Sequence, residues 1–107
     1  MEGIDVKEAA ALVERGEAVL LDVRERDEWL AGHAPQATHI PMSELGERLT
    51  ELPDEQRLLA LCRSGNRSGQ VTAALQERGY RITNVCGGMK SWVKVGLPLE
   101  PPTGTIA

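Results

Sequence analysis

LLALCRSGNRSGQ, residues 58–70, sets a short apolar run against a small polar loop and places one cysteine at the junction. Leu58, Leu59, Ala60 and Leu61 form a continuous apolar stretch with no polar face, the pattern of a strand buried on both sides in a parallel sheet. From about Arg67 the pattern turns helical: Val71, Ala74 and Leu75 fall on one face, and Gly79 marks the boundary after Arg78. CRSGNR (62–67) is then the turn between strand and helix. Such a turn points successive backbone N–H groups inward, and the helix N-terminus adds partial positive charge, so the turn is a cradle for an anion.

A thiol held there ionises easily, because helix N-termini and nearby arginines lower a cysteine pKa from its ordinary value near ~8.5. Gly65 lets the backbone curl, Ser64, Asn66 and Ser68 leave the pocket open, and Arg63 and Arg67 attract a negatively charged substrate. The competing view of Cys62 is a small buried hydrophobe that finishes a strand. A purely structural strand end has no need of two arginines around a glycine, so the loop favours a reactive thiolate.

Outward from this stretch, the chain alternates helices and strands at short intervals. Asp5 and Glu8 have capping-box spacing, and Val6, Ala10 and Val13 follow at helical intervals before Gly16, so a first helix is expected. AVLLDV (18–23) reads as a buried strand, and Trp29 and Leu30 anchor a short helix in RERDEWLAGH. THIP (38–41) is a brief strand closed by Pro41, and Ser43 begins a helix, SELGERLTEL, that Pro53 terminates. YRITNVCGG supplies a strand and a glycine turn, and MKSWVKV a last helix before Gly96. Residues 1–98 read as one domain, and 99–107, with two of the tail's prolines and no periodicity, as an extended, partly mobile tail. The expected class is α/β, an open and mainly parallel sheet with helices on both faces, in which ligands collect beyond the carboxyl ends of strands. Cys62 stands at one such end.

Composition narrows the function. A chain of 107 residues with net charge −4 lacks the basic excess that nucleic acid or an anionic membrane surface requires. Trp29, Trp92 and Tyr80 are the only aromatics, too few for base-stacking platforms. No run approaches the ~18 apolar residues of a membrane span, and the acidic start MEGIDVKEAA lacks the order of a signal peptide, so the cytoplasm is expected. Cys62 and Cys86 are too few for a disulfide framework, and with His33 and His39 they show no zinc-ligand spacing, so no metal is expected.

CRSGNRS (62–68), GY (79–80), NVCGGMKSW (84–92) and GLP (96–98) together resemble the single-domain rhodanese-type sulfurtransferases. LDVRERDEW (21–29) and GHAPQATHIP (32–41) match the same family's two N-terminal signatures, so the resemblance runs from about residue 4 to 98. It implies a rhodanese-like three-layer fold with a five-stranded, mainly parallel sheet and a catalytic cysteine in the loop after the fourth main strand, here Cys62. It implies a ping-pong reaction in which the Cys62 thiolate takes the outer sulfur of a small anionic donor such as thiosulfate, releases sulfite, and passes its persulfide sulfur to cyanide or another thiophilic acceptor. Arg63, Ser64, Gly65, Asn66, Arg67 and Ser68 are the expected substrate-binding residues, their N–H groups stabilising the sulfur anion, and no cofactor is required.

Three alternatives stand beside this. Cysteine phosphatases and arsenate reductases use C-x-x-G-x-x-R; here Gly65 is in phase, but the arginine comes one residue early at Arg67 and Ser68 holds its place, which suits one sulfur better than a tetrahedral oxyanion. Rhodanese-like interaction modules usually lack the cysteine and are fused to other domains; Cys62 and a start at Met1 without a companion domain favour the enzyme. A sulfur carrier serving a protein thiol is the third.

Against the family's common form, Ala34 replaces Ile, Gln36 replaces Gly and His39 replaces Asn, all scaffold positions. Cys86, where Leu is frequent, reads as a small buried residue before Gly87 and Gly88 in preference to a resolving thiol. Asp22 and Arg24 are read as a structural pair near the mouth of the site, His33 as a helix-ending residue with a satisfied ring, Trp29 and Trp92 as packing, and the cluster ERDE (25–28) as a solvated helix start.

Overall fold

The computed structural model describes residues 3–53 and 55–106. Among them the order is α1 (Val6–Glu14), β1 (Ala18–Asp22), α2 (Arg26–Ala31), β2 (Thr38–His39), a 3₁₀ segment (Met42–Glu51), β3 (Arg57–Leu61), α3 (Asn66–Glu77), β4 (Ile82–Asn84) and α4 (Gly88–Lys94). The four strands form one sheet in the order β2-β1-β3-β4, every pair parallel.

Strand side chains alternate between two apolar layers. Leu20, Leu59 and Leu61 pack with Val6, Ala9 and Leu12 of α1 and Met89 and Trp92 of α4. Leu21, Val23, Leu58, Ala60 and Cys62 pack on the opposite face with Val71 and Leu75 of α3 and with Leu45 and Leu52. A strand covered on both sides has no solvated face, which is why RLLAL and AVLLD read as unbroken apolar runs.

The expected fifth strand is corrected to an isolated parallel bridge between Ile4 and Val85, held by Ile4 N–H to the Asn84 carbonyl at 3.0 Å and Cys86 N–H to the Ile4 carbonyl at 2.7 Å. The next residue, Asp5, already caps α1 by accepting from Glu8 N–H, so the pairing cannot run on past Ile4, which is the one bridged residue here among those described. The cysteine loop therefore follows the third full strand, and the fourth paired segment if the Ile4 bridge is counted.

The segment after β2 is a 3₁₀ helix where an ordinary helix was expected, and Pro41 takes the cap position that had been given to Ser43. Its apolar residues Met42, Leu45, Leu49 and Leu52 are spaced three, four and three apart, and the backbone kinks at Arg48 (φ −115°, ψ 19°) within the four-residue step. Three-residue turns on either side of that kink keep the ridge on the core. Ser43 instead donates its hydroxyl to the Glu25 carboxylate at 2.8 Å.

The last residues fold back on the domain. His33 and Glu100 exchange backbone hydrogen bonds as an antiparallel bridge (3.0 and 2.7 Å), Thr105 N–H reaches the Ala31 carbonyl, and Leu97, Leu99 and Ile106 lie against the core.

Candidate active site

Cys62 follows directly on β3, whose five residues all pair with β1 and three of which, Leu58, Leu59 and Ala60, also pair with β4, so its position is set by the centre of the sheet. The loop after it owes its curvature to what binds its carbonyls. Met89 N–H donates to the Cys62 carbonyl at 2.8 Å and Lys90 N–H to the Arg63 carbonyl at 3.0 Å. The Gly65 carbonyl accepts from Gly69 N–H and from the Asn84 side-chain amide, both at 3.1 Å. With its oxygens turned out toward α4 and β4, the loop turns N–H groups in toward the sulfur.

This arrangement depends on two glycines. Gly65 caps α3 with a left-handed backbone (φ +101°) that side chains rarely adopt. Gly88 also has positive φ, and a Cβ there would collide with the carbonyls of Cys62 and Arg63. Gly88 is thus what allows the start of α4 to lie directly on the cysteine loop.

Three groups converge on Cys62 Sγ: Gly65 N–H at 3.1 Å, Ser68 N–H at 3.3 Å and the Ser68 hydroxyl at 3.2 Å. Burial is the largest single influence on the thiol and pushes its pKa up. The Ser68 hydroxyl and the amides of Ser68, Gly65 and Ser64 together outweigh it, and the thiol ionises below its ordinary range. Cys62 is only 1% exposed, so the sulfur lies at the floor of the cradle, beneath a rim of exposed Arg63, Ser64 and Asn66.

The two loop arginines differ. Arg63 makes no side-chain hydrogen bond or ion pair among the described residues, whereas both terminal nitrogens of Arg67 are taken by Glu28 of α2, at 2.6 and 2.7 Å. That bidentate bond to Arg67, opposed by burial, holds the Glu28 carboxyl below its usual range. It also removes the fork with which a phosphatase loop would grip two oxyanion oxygens. The ERDE cluster is therefore more than a solvated helix start: Glu28 also accepts from Glu25 N–H in a capping box, and its side chain is 16% exposed.

Behind the loop, Asp22 and Arg24 form a fully buried pair (2.8 Å), enclosed in the domain and not at a mouth. The Arg24 guanidinium also donates to the carbonyls of Gly32 (2.9 Å) and Glu28 (3.3 Å), tying the middle and the C-cap of α2 to Asp22 at the end of β1. His33 and His39 bond the carbonyls of Trp29 and Arg24 through their rings and stack nearly parallel to the Trp29 indole, with centroids 3.6 and 4.6 Å away. Trp92 is wholly buried, and its indole N–H donates to the Pro98 carbonyl at 2.7 Å. Cys86 is a half-buried free thiol lying against Gly3.

Two contributors are not singled out by sequence reading. Glu28 carries no local mark of its partner across the loop. Asn84, 3% exposed, ends β4 (Ile82–Asn84), and a polar residue between the buried Ile82 and Val85 is the available signal that it meets something buried.

Comparison with known proteins adds the following. The rhodanese-like domain family matches residues 5–95. A sulfurtransferase of Allochromatium vinosum is 36% identical over 94 residues, covering 87% of this chain and 88% of that one. Among solved structures, a rhodanese-related protein from Thermoplasma volcanium superposes with a TM-score of 0.85 at 30% identity, covering 92% of this chain and 97% of its own. The human single-domain sulfurtransferase TSTD1 superposes with a TM-score of 0.77 at 29% identity, covering 86% and 95% of the two chains.

Proposed function

This chain belongs to the rhodanese-like domain family, and from that membership and the cradle around Cys62 we propose that it is a sulfurtransferase working through a Cys62 persulfide. The donor class is a small anion with an exposed sulfane sulfur, thiosulfate being the simplest. The Cys62 thiolate attacks the outer sulfur; the new S–S bond takes that atom, and the old one breaks with its electron pair leaving on sulfite. The product is a Cys62 persulfide whose outer sulfur is anionic. A thiophilic acceptor such as cyanide or a thiolate then attacks that outer sulfur, and the Cys62 thiolate leaves with its electrons, ready for another cycle.

The supporting observation is the convergence of Gly65 N–H and Ser68 N–H on Cys62 Sγ, with the Ser68 hydroxyl beside them at 3.2 Å. Donors fixed before the reaction stabilise sulfur anions without reorganising, and inside a buried cradle they act with little screening. Arg63, exposed at the rim, draws the anionic donor in, while Arg67 holds the loop to α2 through Glu28. The function rests on a thiolate already present, so no general base is assigned.

The test is to incubate the protein with thiosulfate and measure intact mass and released sulfite. The expected result is the mass of one added sulfur atom and an equivalent of sulfite, with neither in Cys62→Ser. Equal labelling of both proteins removes Cys62 from the reaction.

A further inference from the structure

Asn84 reaches the cysteine loop from β4 at two points: its amide nitrogen donates to the Gly65 carbonyl at 3.1 Å, and its amide oxygen accepts from the Ser68 hydroxyl at 2.6 Å. Because the nitrogen must face a carbonyl, the oxygen is the atom that faces Ser68. The Ser68 hydroxyl also lies 3.2 Å from Cys62 Sγ. Cys62, Ser68 and Asn84 are 1%, 0% and 3% exposed, so bulk water does not settle the contest among them.

A hydroxyl has one proton to give. While Cys62 is a thiol, both contacts are satisfied in series: S–H donates to the Ser68 oxygen, and the Ser68 hydroxyl donates to Asn84. Once the thiol proton has left to solvent, the sulfur is an acceptor, and two acceptors face a single hydroxyl proton. We infer that Asn84 is a positioning residue that competes with the Cys62 sulfur for the Ser68 hydroxyl proton and so sets how strongly the resting sulfur anion is held. The inference deepens the sulfurtransferase reading and rests on it for its purpose. A sulfur anion quenched by every available donor is abundant but sluggish, since thiolate nucleophilicity falls as its pKa falls. By claiming the hydroxyl, Asn84 keeps the anion more reactive.

The test measures the rate of alkylation of Cys62 by iodoacetamide across pH, which yields both the ionisation midpoint and the plateau rate of the thiolate, in the parent, Asn84→Ala, Ser68→Ala and the double variant, each made with Cys86→Ser so that one thiol reports. Asn84→Leu, which fills the same space, replaces Asn84→Ala if the latter does not fold. Removing the Asn84 oxygen is expected to lower the midpoint by about half to one pH unit, the worth of one hydrogen bond, and to lower the plateau rate two- to threefold. Ser68→Ala is expected to raise the midpoint and to abolish the effect of the substitution at Asn84. An unmoved or raised midpoint on removing Asn84, or the same shift without the Ser68 hydroxyl, overturns the inference. Thiosulfate labelling is run alongside: a persulfide formed with no shift removes the role of Asn84 alone, whereas the expected shift with no persulfide keeps that role and removes sulfur transfer.

Discussion

Glu28 and Arg67 face each other as a parallel pair of hydrogen bonds, 2.6 and 2.7 Å long, joining α2 to the first turn of α3 across 39 residues of chain. Glu28 belongs to the capping box of its own helix, and Arg67 is one residue from the serine that contacts the sulfur.

Glu28→Gln is expected to lower stability at neutral pH by about 1 kcal/mol, as befits a partly exposed ion pair. The native carboxyl ionises below its ordinary value, chiefly through Arg67. A depressed acid pKa stabilises the fold above the unfolded value, near ~4.3, and that contribution is lost as pH falls through the native value. Urea denaturation of parent and variant should therefore differ at pH 7 and converge only once pH has fallen through the lowered native value.

The buried Asp22–Arg24 pair should behave differently. Removing one partner leaves a buried charge that water cannot reach, so Asp22→Ala is expected to cost about 3–5 kcal/mol. Arg24→Lys should also destabilise, since one ammonium cannot serve Asp22, Gly32 and Glu28 with the same fork. Denaturant midpoints of the two variants check both statements.

Gly88→Ala and Gly79→Ala make a matched pair, because both glycines have positive φ (56° and 91°). A Cβ on Gly79 meets nothing, so that variant should lose about 1–2 kcal/mol of stability to backbone strain and keep its sulfur transfer. A Cβ on Gly88 strikes the carbonyls of Cys62 and Arg63, so the loop must move and persulfide formation should fall at least about tenfold. Thiosulfate labelling rates and thermal melts separate the two.

Arg63→Ala is expected to raise KM for thiosulfate about threefold to tenfold at low salt, the worth of one rim cation or about 1 kcal/mol. The rise should shrink toward nothing at high ionic strength. The same substitution should leave the rate with a neutral alkylating reagent unchanged, which distinguishes anion attraction from damage to the loop.

The main elements are legible in the sequence because each rests on local pattern. RLLAL reads as a strand since both of its faces are apolar, and CRSGNR reads as an anion cradle since glycine and small polar residues sit where a strand meets a helix. What escapes is set by distance along the chain. Nothing near Arg67 tells which of 16 carboxylates it will meet. The edge pairing stops at Ile4 because a helix cap and a sheet partner compete for neighbouring residues, and the cap at Asp5 wins. The 3₁₀ segment shows its hand only in hindsight, through three-residue apolar steps split by a kink at Arg48.

The bonds from Met89 and Lys90 to the carbonyls of Cys62 and Arg63 carry a lesson for protein engineering. Transplanted alone into a foreign scaffold, the heptapeptide from Cys62 to Ser68 would relax, its oxygens free to swing inward. The smallest portable unit is two separate pieces of chain, 62–68 and 84–90, delivered together and in register by adjacent parallel strands.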